Sequence, residues 1–128
     1  MSQRIASVTV LVTDYDQAIA FFAGTLGFEL THDRTSPDGK RWVEVRPEAG
    51  GPALRLALPA KPEQRALVGA QAGSRVLFVL YTDDLERDVA AYKSRGVVFQ
   101  EEPRDEAYGT VAVFEDCFGN RWDLIQPA

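Results

Sequence analysis

Tyr108-Gly109-Thr110-Val111-Ala112-Val113-Phe114-Glu115-Asp116-Cys117-Phe118-Gly119-Asn120-Arg121-Trp122-Asp123-Leu124-Ile125-Gln126 reads as two β-strands joined by a tight turn. Val111 and Val113 alternate with Thr110, Ala112 and Phe114, the period of two expected of a half-buried strand. Glu115 to Asn120 supplies turn chemistry: an acidic pair, then a Gly-Asn step that tolerates positive φ. In Arg121 to Gln126, Trp122 and Leu124 share one face, and Asp123 and Ile125 share the other. Asp123 is therefore a carboxylate turned away from two large apolar side chains. The functional question is what its face looks toward.

The same order of elements stands earlier in the chain. Ile5 to Val12 alternates as a strand, with Val8, Val10 and Val12 opposite Ser7, Thr9 and Leu11. Thr13, Asp14 and Asp16 are each competent to cap the helix that follows. The stripe of that helix is Ala18, Ile19, Phe22 and Leu26, and Gly27 is placed to end it. Phe28 to Asp33, Trp42 to Arg46 and Ala53 to Leu58 read as three further strands, separated by Thr35-Ser36-Pro37-Asp38-Gly39 and by Pro47 to Pro52. Residues 59–74 break the pattern and read as a linker with one short helix around Glu63 to Val68. The pattern then restarts with the strand Val76 to Tyr81 and the cap Thr82-Asp83-Asp84. A helix striped by Leu85, Val89 and Tyr92 follows, closed by Gly96, and then the strand Val97 to Gln100. Glu101 to Ala107 reads as a charged loop before the final two strands.

An internal repeat follows from this order. Thr13-Asp14 aligns with Thr82-Asp83 and Gly27 with Gly96, both 69 positions apart. Val43 aligns with Val111, Gly51 with Gly119, Leu54 with Trp122 and Leu56 with Leu124, each 68 apart. Each half reads β-α-β-β-β. The chain is expected to be one domain, 1–128, made of a first module 1–58, a linker 59–74 and a second module 75–128.

Composition bounds the function. The net charge of −5, from 14 basic and 19 acidic residues, carries no basic stripe of the kind a nucleic-acid binder uses to displace counterions. No apolar run reaches the roughly 18–20 residues that span a bilayer. Met1-Ser2-Gln3-Arg4-Ile5 runs directly into a strand pattern, so no signal peptide is expected. The single cysteine, Cys117, rules out an internal disulfide framework and fits a reducing cytoplasm. The expected partners are a small-molecule ligand and a second copy of the chain, with neither nucleic acid nor membrane.

Two β-α-β-β-β halves in this length resemble the vicinal oxygen chelate superfamily, which holds glyoxalase I, extradiol dioxygenases, fosfomycin-modifying enzymes and bleomycin-resistance proteins. The resemblance rests on Val10-Leu11-Val12-Thr13-Asp14 leading to Ala20-Phe21-Phe22 and Leu26-Gly27-Phe28, and on Phe114 to Ile125. In the latter, Cys117 stands where the family pattern usually has proline. It implies an α+β fold: a curved eight-stranded mixed sheet around an open cavity, with helices outside. The face carrying Val8, Val10, Val43, Val45, Leu54, Leu56, Trp122 and Leu124 is then expected under the helices. The face carrying Ser7, Thr9, Trp42, Glu44, Arg46, Arg55, Leu77, Val79, Tyr81, Thr110, Phe114 and Asp123 is expected to line the cavity. A slip of one residue would exchange the two sets.

Members of the family that are enzymes hold a divalent metal at four strand positions. Carried over, these positions are Ser7, Arg55, Leu77 and Asp123. Only Asp123 ligates well; Leu77 has no donor atom, and Arg55 is a permanent cation. No metal and no cofactor are therefore expected, and whether any reaction is catalysed stays open. Arg55 and Asp123 are expected either to pair with each other or to hold a polar ligand. The expected ligand-binding residues are Ser7, Thr9, Trp42, Glu44, Arg55, Tyr81, Phe114 and Asp123. The only histidine, His32, reads as a surface strand residue away from the ligand positions, Cys117 as a tolerated turn residue, and Glu115 and Asp116 as turn acids.

The expected function is that of a glyoxalase/bleomycin-resistance-like protein binding a small molecule without the family metal. Two alternatives stand beside it: a metal-dependent lyase, isomerase or extradiol-type dioxygenase with atypical ligands, and a non-catalytic self-association domain. The resemblance also implies a homodimer, with or without exchange of modules through the linker.

Overall fold

The computed structural model describes residues 1–128 and divides them into two compact units, Met1–Val68 and Gly69–Ala128. The fold is α+β, and no helix is long and apolar enough to cross a membrane.

In the first unit the strands are β1 (Ser7–Leu11), β2 (Glu29–Thr35), β3 (Arg41–Arg46) and β4 (Ala53–Ala57), in sheet order β1-β4-β3-β2. β1 runs parallel to β4, as the helical crossover between modules' first and later strands requires, and the other pairs are antiparallel. Val43 lies opposite Leu56 and Val45 opposite Leu54, and all four are buried with Val10, Val12, Ala18 and Phe22. This is the apolar face that alternation predicts. Val8, at the start of β1, belongs to it by register but is exposed.

The first helix, α1, spans Tyr15–Ile19 and continues as a π-helical turn over Ala20–Thr25. Asp14 caps it, accepting a hydrogen bond from the Gln17 amide. The second unit's helix, α3 (Leu85–Ser94), is capped in the same way by Asp84, not Asp83. From cap to closing glycine, Asp14 to Gly27 is one residue longer than Asp84 to Gly96. The π turn absorbs that residue: the Leu26 amide reaches back five residues to the Phe21 carbonyl, and Phe28 reaches six to Phe22, whereas Val97 reaches five to Tyr92. Gly27 and Gly96 both sit at positive φ, as helix-closing residues do. Between the units' sheets in sequence, a short helix α2 covers Pro62–Arg65 and decays into turns through Val68.

The second unit holds β5 (Val76–Tyr81), β6 (Val98–Phe99), β7 (Arg104–Glu106), β8 (Gly109–Glu115) and β9 (Arg121–Pro127), ordered β5-β9-β8-β6 with β7 also on β8. β7 is a ninth strand, formed where the sequence reads as a charged loop; it pairs Arg104 with Val111 and Asp105 with Thr110. Its three residues are all exposed, so no hydrophobic alternation announces it. Leu85, Val89 and Tyr92 of α3 are buried, and the Tyr92 ring meets Phe114 edge-on at 5.7 Å. Gly69 opens this unit at φ +74, against the β8–β9 turn; a Cβ there would stand 2.0 Å from the Phe118 carbonyl oxygen.

The register of this sheet corrects the expected faces. Phe114 lies opposite Trp122 and Ala112 opposite Leu124, so Phe114 and Thr110 belong to the helix-side face. Phe114 is fully buried, stacked on Trp122 at 5.7 Å and 20°. It is core, not cavity lining. Val111 and Val113 take the opposite face, beside Ile125 and Asp123. The cause is turn length. Six residues, Pro47 to Pro52, join β3 to β4, but five, Asp116 to Asn120, join β8 to β9. Val43 therefore corresponds to Ala112, not to Val111, and every side chain of β8 turns over relative to the expected alignment.

Candidate functional site

On the first sheet, the face away from the valines carries a row across three adjacent strand pairs: Thr9 beside Arg55, Arg55 beside Glu44, and Glu44 beside His32. Trp42, two residues along β3, shares this face and pairs with Arg34. The Arg55 guanidinium lies over the Trp42 ring, 3.7 Å from its centroid. That cation–π contact holds the guanidinium flat against the indole. The Trp42 indole N–H donates to Glu44, so Arg55, Trp42 and Glu44 form one continuous cluster. Trp42 is 43% exposed, a large apolar surface left facing outward. Ser7 lies on the same side of β1 as Thr9 and is exposed.

β2 reaches this face through a bulge at Thr31, where the register shifts between Leu30 and His32. The bulge rotates His32 and Arg34 onto the face that Glu29 occupies. Strict alternation along β2 would have put them on the opposite side, so neither a histidine in this row nor an arginine beside Trp42 was legible from period two. Arg46 also lies on this face, paired at 3.6 Å with Glu29, and its Nε is buried with no hydrogen-bond partner.

At the β2–β3 hairpin end of the same face opens a cleft of about 630 Å³, lined by Arg34, Ser36, Lys40, Arg41, Trp42 and Arg55, among others. Arg41 is engaged elsewhere: it grips Asp33 through two hydrogen bonds of 2.8 and 2.9 Å and Asp16 at 3.0 Å, and lies over the Tyr15 ring. This network ties α1 to the hairpin. The hydrogen bonds from Arg41 hold the Asp33 carboxyl below its ordinary range.

On the second sheet the equivalent row is Val79, Asp123 and Val113. Asp123 is half-buried between two valines. Burial pushes its carboxyl above the ordinary range, the Arg104 guanidinium pulls it back and Glu101 adds to the rise. Tyr81 is at the edge of this sheet, opposite Ile125 and 71% exposed.

The β8–β9 turn is a structural centre. Asp116 is buried and accepts hydrogen bonds from the amides of Phe118 and Asn120 through Oδ1, and from the Asn120 side chain and the Trp122 indole through Oδ2. It organises the turn and anchors the core tryptophan. Cys117 is exposed, yet partial desolvation and the adjacent Asp116 push its thiol up to about 12. It stays protonated at neutral pH and is a poor nucleophile.

Of the eight expected ligand-binding residues, the first sheet brings five to one face: Ser7, Thr9, Trp42, Glu44 and Arg55. Asp123 and Tyr81 lie on the second sheet, and Phe114 is withdrawn into the core. No three His, Cys, Asp or Glu side chains cluster as metal ligands would. Arg34 and Lys40 are additions the sequence pattern did not single out, while Arg46 stands on the face where alternation puts it.

A sequence model of the Glyoxalase/Bleomycin resistance protein/Dioxygenase superfamily matches residues 4–124. An uncharacterised protein of Shewanella frigidimarina is 45% identical over 98% of this chain and 95% of its own. Among solved structures, UcmS2 superposes with a TM-score of 0.83 at 31% identity, over 98% of both chains. TnmS3, described as an antibiotic binding protein from Streptomyces sp. CB03234, superposes with a TM-score of 0.80 at 31% identity, over 99% of this chain and 98% of its own.

Proposed function

This chain belongs to the glyoxalase/bleomycin resistance protein/dioxygenase superfamily, and from that membership we propose that it binds a small molecule on the Trp42–Glu44–Arg55 face without a resident divalent metal. The observation that carries the reading is the Arg55 guanidinium laid over an exposed Trp42. A flat aromatic surface beside a planar hydrogen-bond fork suits an organic ligand with one apolar and one polar part. The antibiotic-binding description of TnmS3 supports the same class of role.

The donor chemistry does not fit the family's metal. The four positions hold Ser7, Arg55, Leu77 and Asp123, of which one is a cation and one has no donor atom. A guanidinium repels a divalent ion as a carboxylate attracts it, and one carboxylate is a poor set for any divalent metal. The protein is further proposed to act as a homodimer in the cytoplasm.

Equilibrium dialysis against nickel, zinc, manganese and ferrous iron, followed by metal analysis, tests the metal-free reading. The expected result is no stoichiometric retention. One tight metal per chain, lost in Asp123→Asn, would favour the metal-dependent lyase, isomerase or dioxygenase alternative. Arg55→Ala is expected to weaken a polar aromatic ligand about ten-fold, the loss of one charge-assisted contact.

A further inference from the structure

We propose that the cleft at the β2–β3 hairpin selects a planar aromatic ligand carrying a carboxylate, with Arg34 and Lys40 as the residues that recognise the anion. This deepens the function proposed above and rests on it.

The charge pattern of the chain makes this cleft unusual. Acids outnumber bases, and four of the eleven arginines are held in ion pairs: Arg41 by Asp33 and Asp16, Arg46 by Glu29, Arg87 by Asp83 and Asp88, Arg104 by Glu101 and Glu106. The cleft lining has four cations, Arg34, Lys40, Arg41 and Arg55, and no carboxylate. Within this unit only Arg41 of the four is held in an ion pair. Asp38, the acid of the hairpin turn, is already satisfied by the Ser36 hydroxyl and the Lys40 amide. Arg34, Lys40 and Arg55 are thus gathered with none of them in an ion pair; the acids beside them are Asp38, bonded to the Lys40 amide, and Glu44, across the strand pair from Arg55. Exposed or half-buried, and screened by water, these charges cost the fold little but stay available to an anion.

The arrangement also specifies the shape of the anion's carrier. Arg34 stands directly across from Trp42 on β2, and Arg55 lies over the indole from β4. A ring resting on the exposed part of Trp42 therefore has cationic groups at its border. Arg34 offers a fork that matches a carboxylate in two parallel hydrogen bonds, while Lys40 adds a point charge. Ser36 is engaged in its own turn, its hydroxyl directed at the Asp38 carboxylate and the Lys40 carbonyl, so the donors facing the cleft are chiefly the cations.

Calorimetric titration with naphthoate, with the neutral isostere naphthamide and with inorganic phosphate tests this directly. Naphthoate is expected to bind at least about ten-fold tighter than naphthamide, one charge-assisted pair's worth. The doubly substituted Arg34→Gln/Lys40→Gln protein, both positions being exposed, is expected to keep the wild-type urea midpoint, to lose that preference and to bind naphthamide unchanged. Added salt is expected to weaken naphthoate alone. Equal affinity for naphthoate and naphthamide, or an undiminished preference in the double variant, overturns the anion assignment while leaving small-molecule binding intact. Phosphate binding as tightly as naphthoate overturns the requirement for an aromatic ring. Failure of naphthoate and naphthamide alike to bind overturns both this inference and the function on which it rests.

Discussion

Thr9, Arg55 and Glu44 cross the first sheet in one row; Val79, Asp123 and Val113 cross the second at equivalent register positions. The backbone geometry is repeated, but the chemistry is not. One row is polar throughout and carries its cation against an exposed tryptophan. The other isolates a single carboxylate between two valines, where burial works against its charge. A duplicated fold supplies paired positions; it does not supply paired donors. Under the proposed metal-free reading, Arg55 puts a cation where a metal would need a donor. The first unit's row is the one on which the proposed organic ligand rests.

The largest test of this contrast lies in the two tryptophans. Trp122 is 2% exposed, stacked on Phe114, met by the tilted Phe78 ring at 4.8 Å and bonded to Asp116. Trp122→Ala is expected to cost about 3–5 kcal/mol in urea unfolding, the usual range for a buried aromatic. Trp42→Ala, on the exposed face of the first sheet, is expected to cost at most about 1 kcal/mol, its cation–π contact included, and to abolish ligand binding. Comparable losses for both would mean that Trp42 is structural.

A smaller effect is expected at Asp123. Its folded carboxyl is raised above the unfolded value, so the folded state gives up its proton less readily than the unfolded state does. The stability penalty is absent at acid pH, where both states are protonated, and grows as pH rises through the folded pKa. Asp123→Asn is therefore expected to raise Tm at pH 7, with the gain shrinking toward pH 3. A fall in Tm at neutral pH would show that the carboxylate is favourably partnered. The opposite sign is expected in the first unit, and it is the smallest effect. Asp33 is depressed by Arg41, so that pair contributes above the unfolded carboxylate range and is lost as pH falls through the folded value. Asp33→Asn should flatten the acid limb of the stability profile slightly; an unchanged limb would make the contact ornamental, as many exposed ion pairs are.

Local features were legible because their causes are local. The stripe Leu85, Val89 and Tyr92, the aspartate caps, and the glycines that close both helices follow from helix geometry within a dozen residues. The shared face of Ser7, Thr9, Trp42, Glu44 and Arg55 was legible for the same reason: the alternation on β1, β3 and β4 is unbroken. Phe114 was not, because its face depends on whether the turn before β9 has five residues or six, and both lengths look equally turn-like in sequence. His32 and Arg34 were hidden by one bulge at Thr31.

By itself, then, the sequence determined the α+β class, the repeated order of strand, capped helix and strands, and the buried helix stripes, since these depend on residue identity and short-range periodicity. Tertiary structure alone decided which side of β8 meets the helices and which cations surround Trp42. Hydrogen-bond register is set by the sum of turn lengths, bulges and helix insertions along the chain, and a single residue in any of them turns a whole strand over.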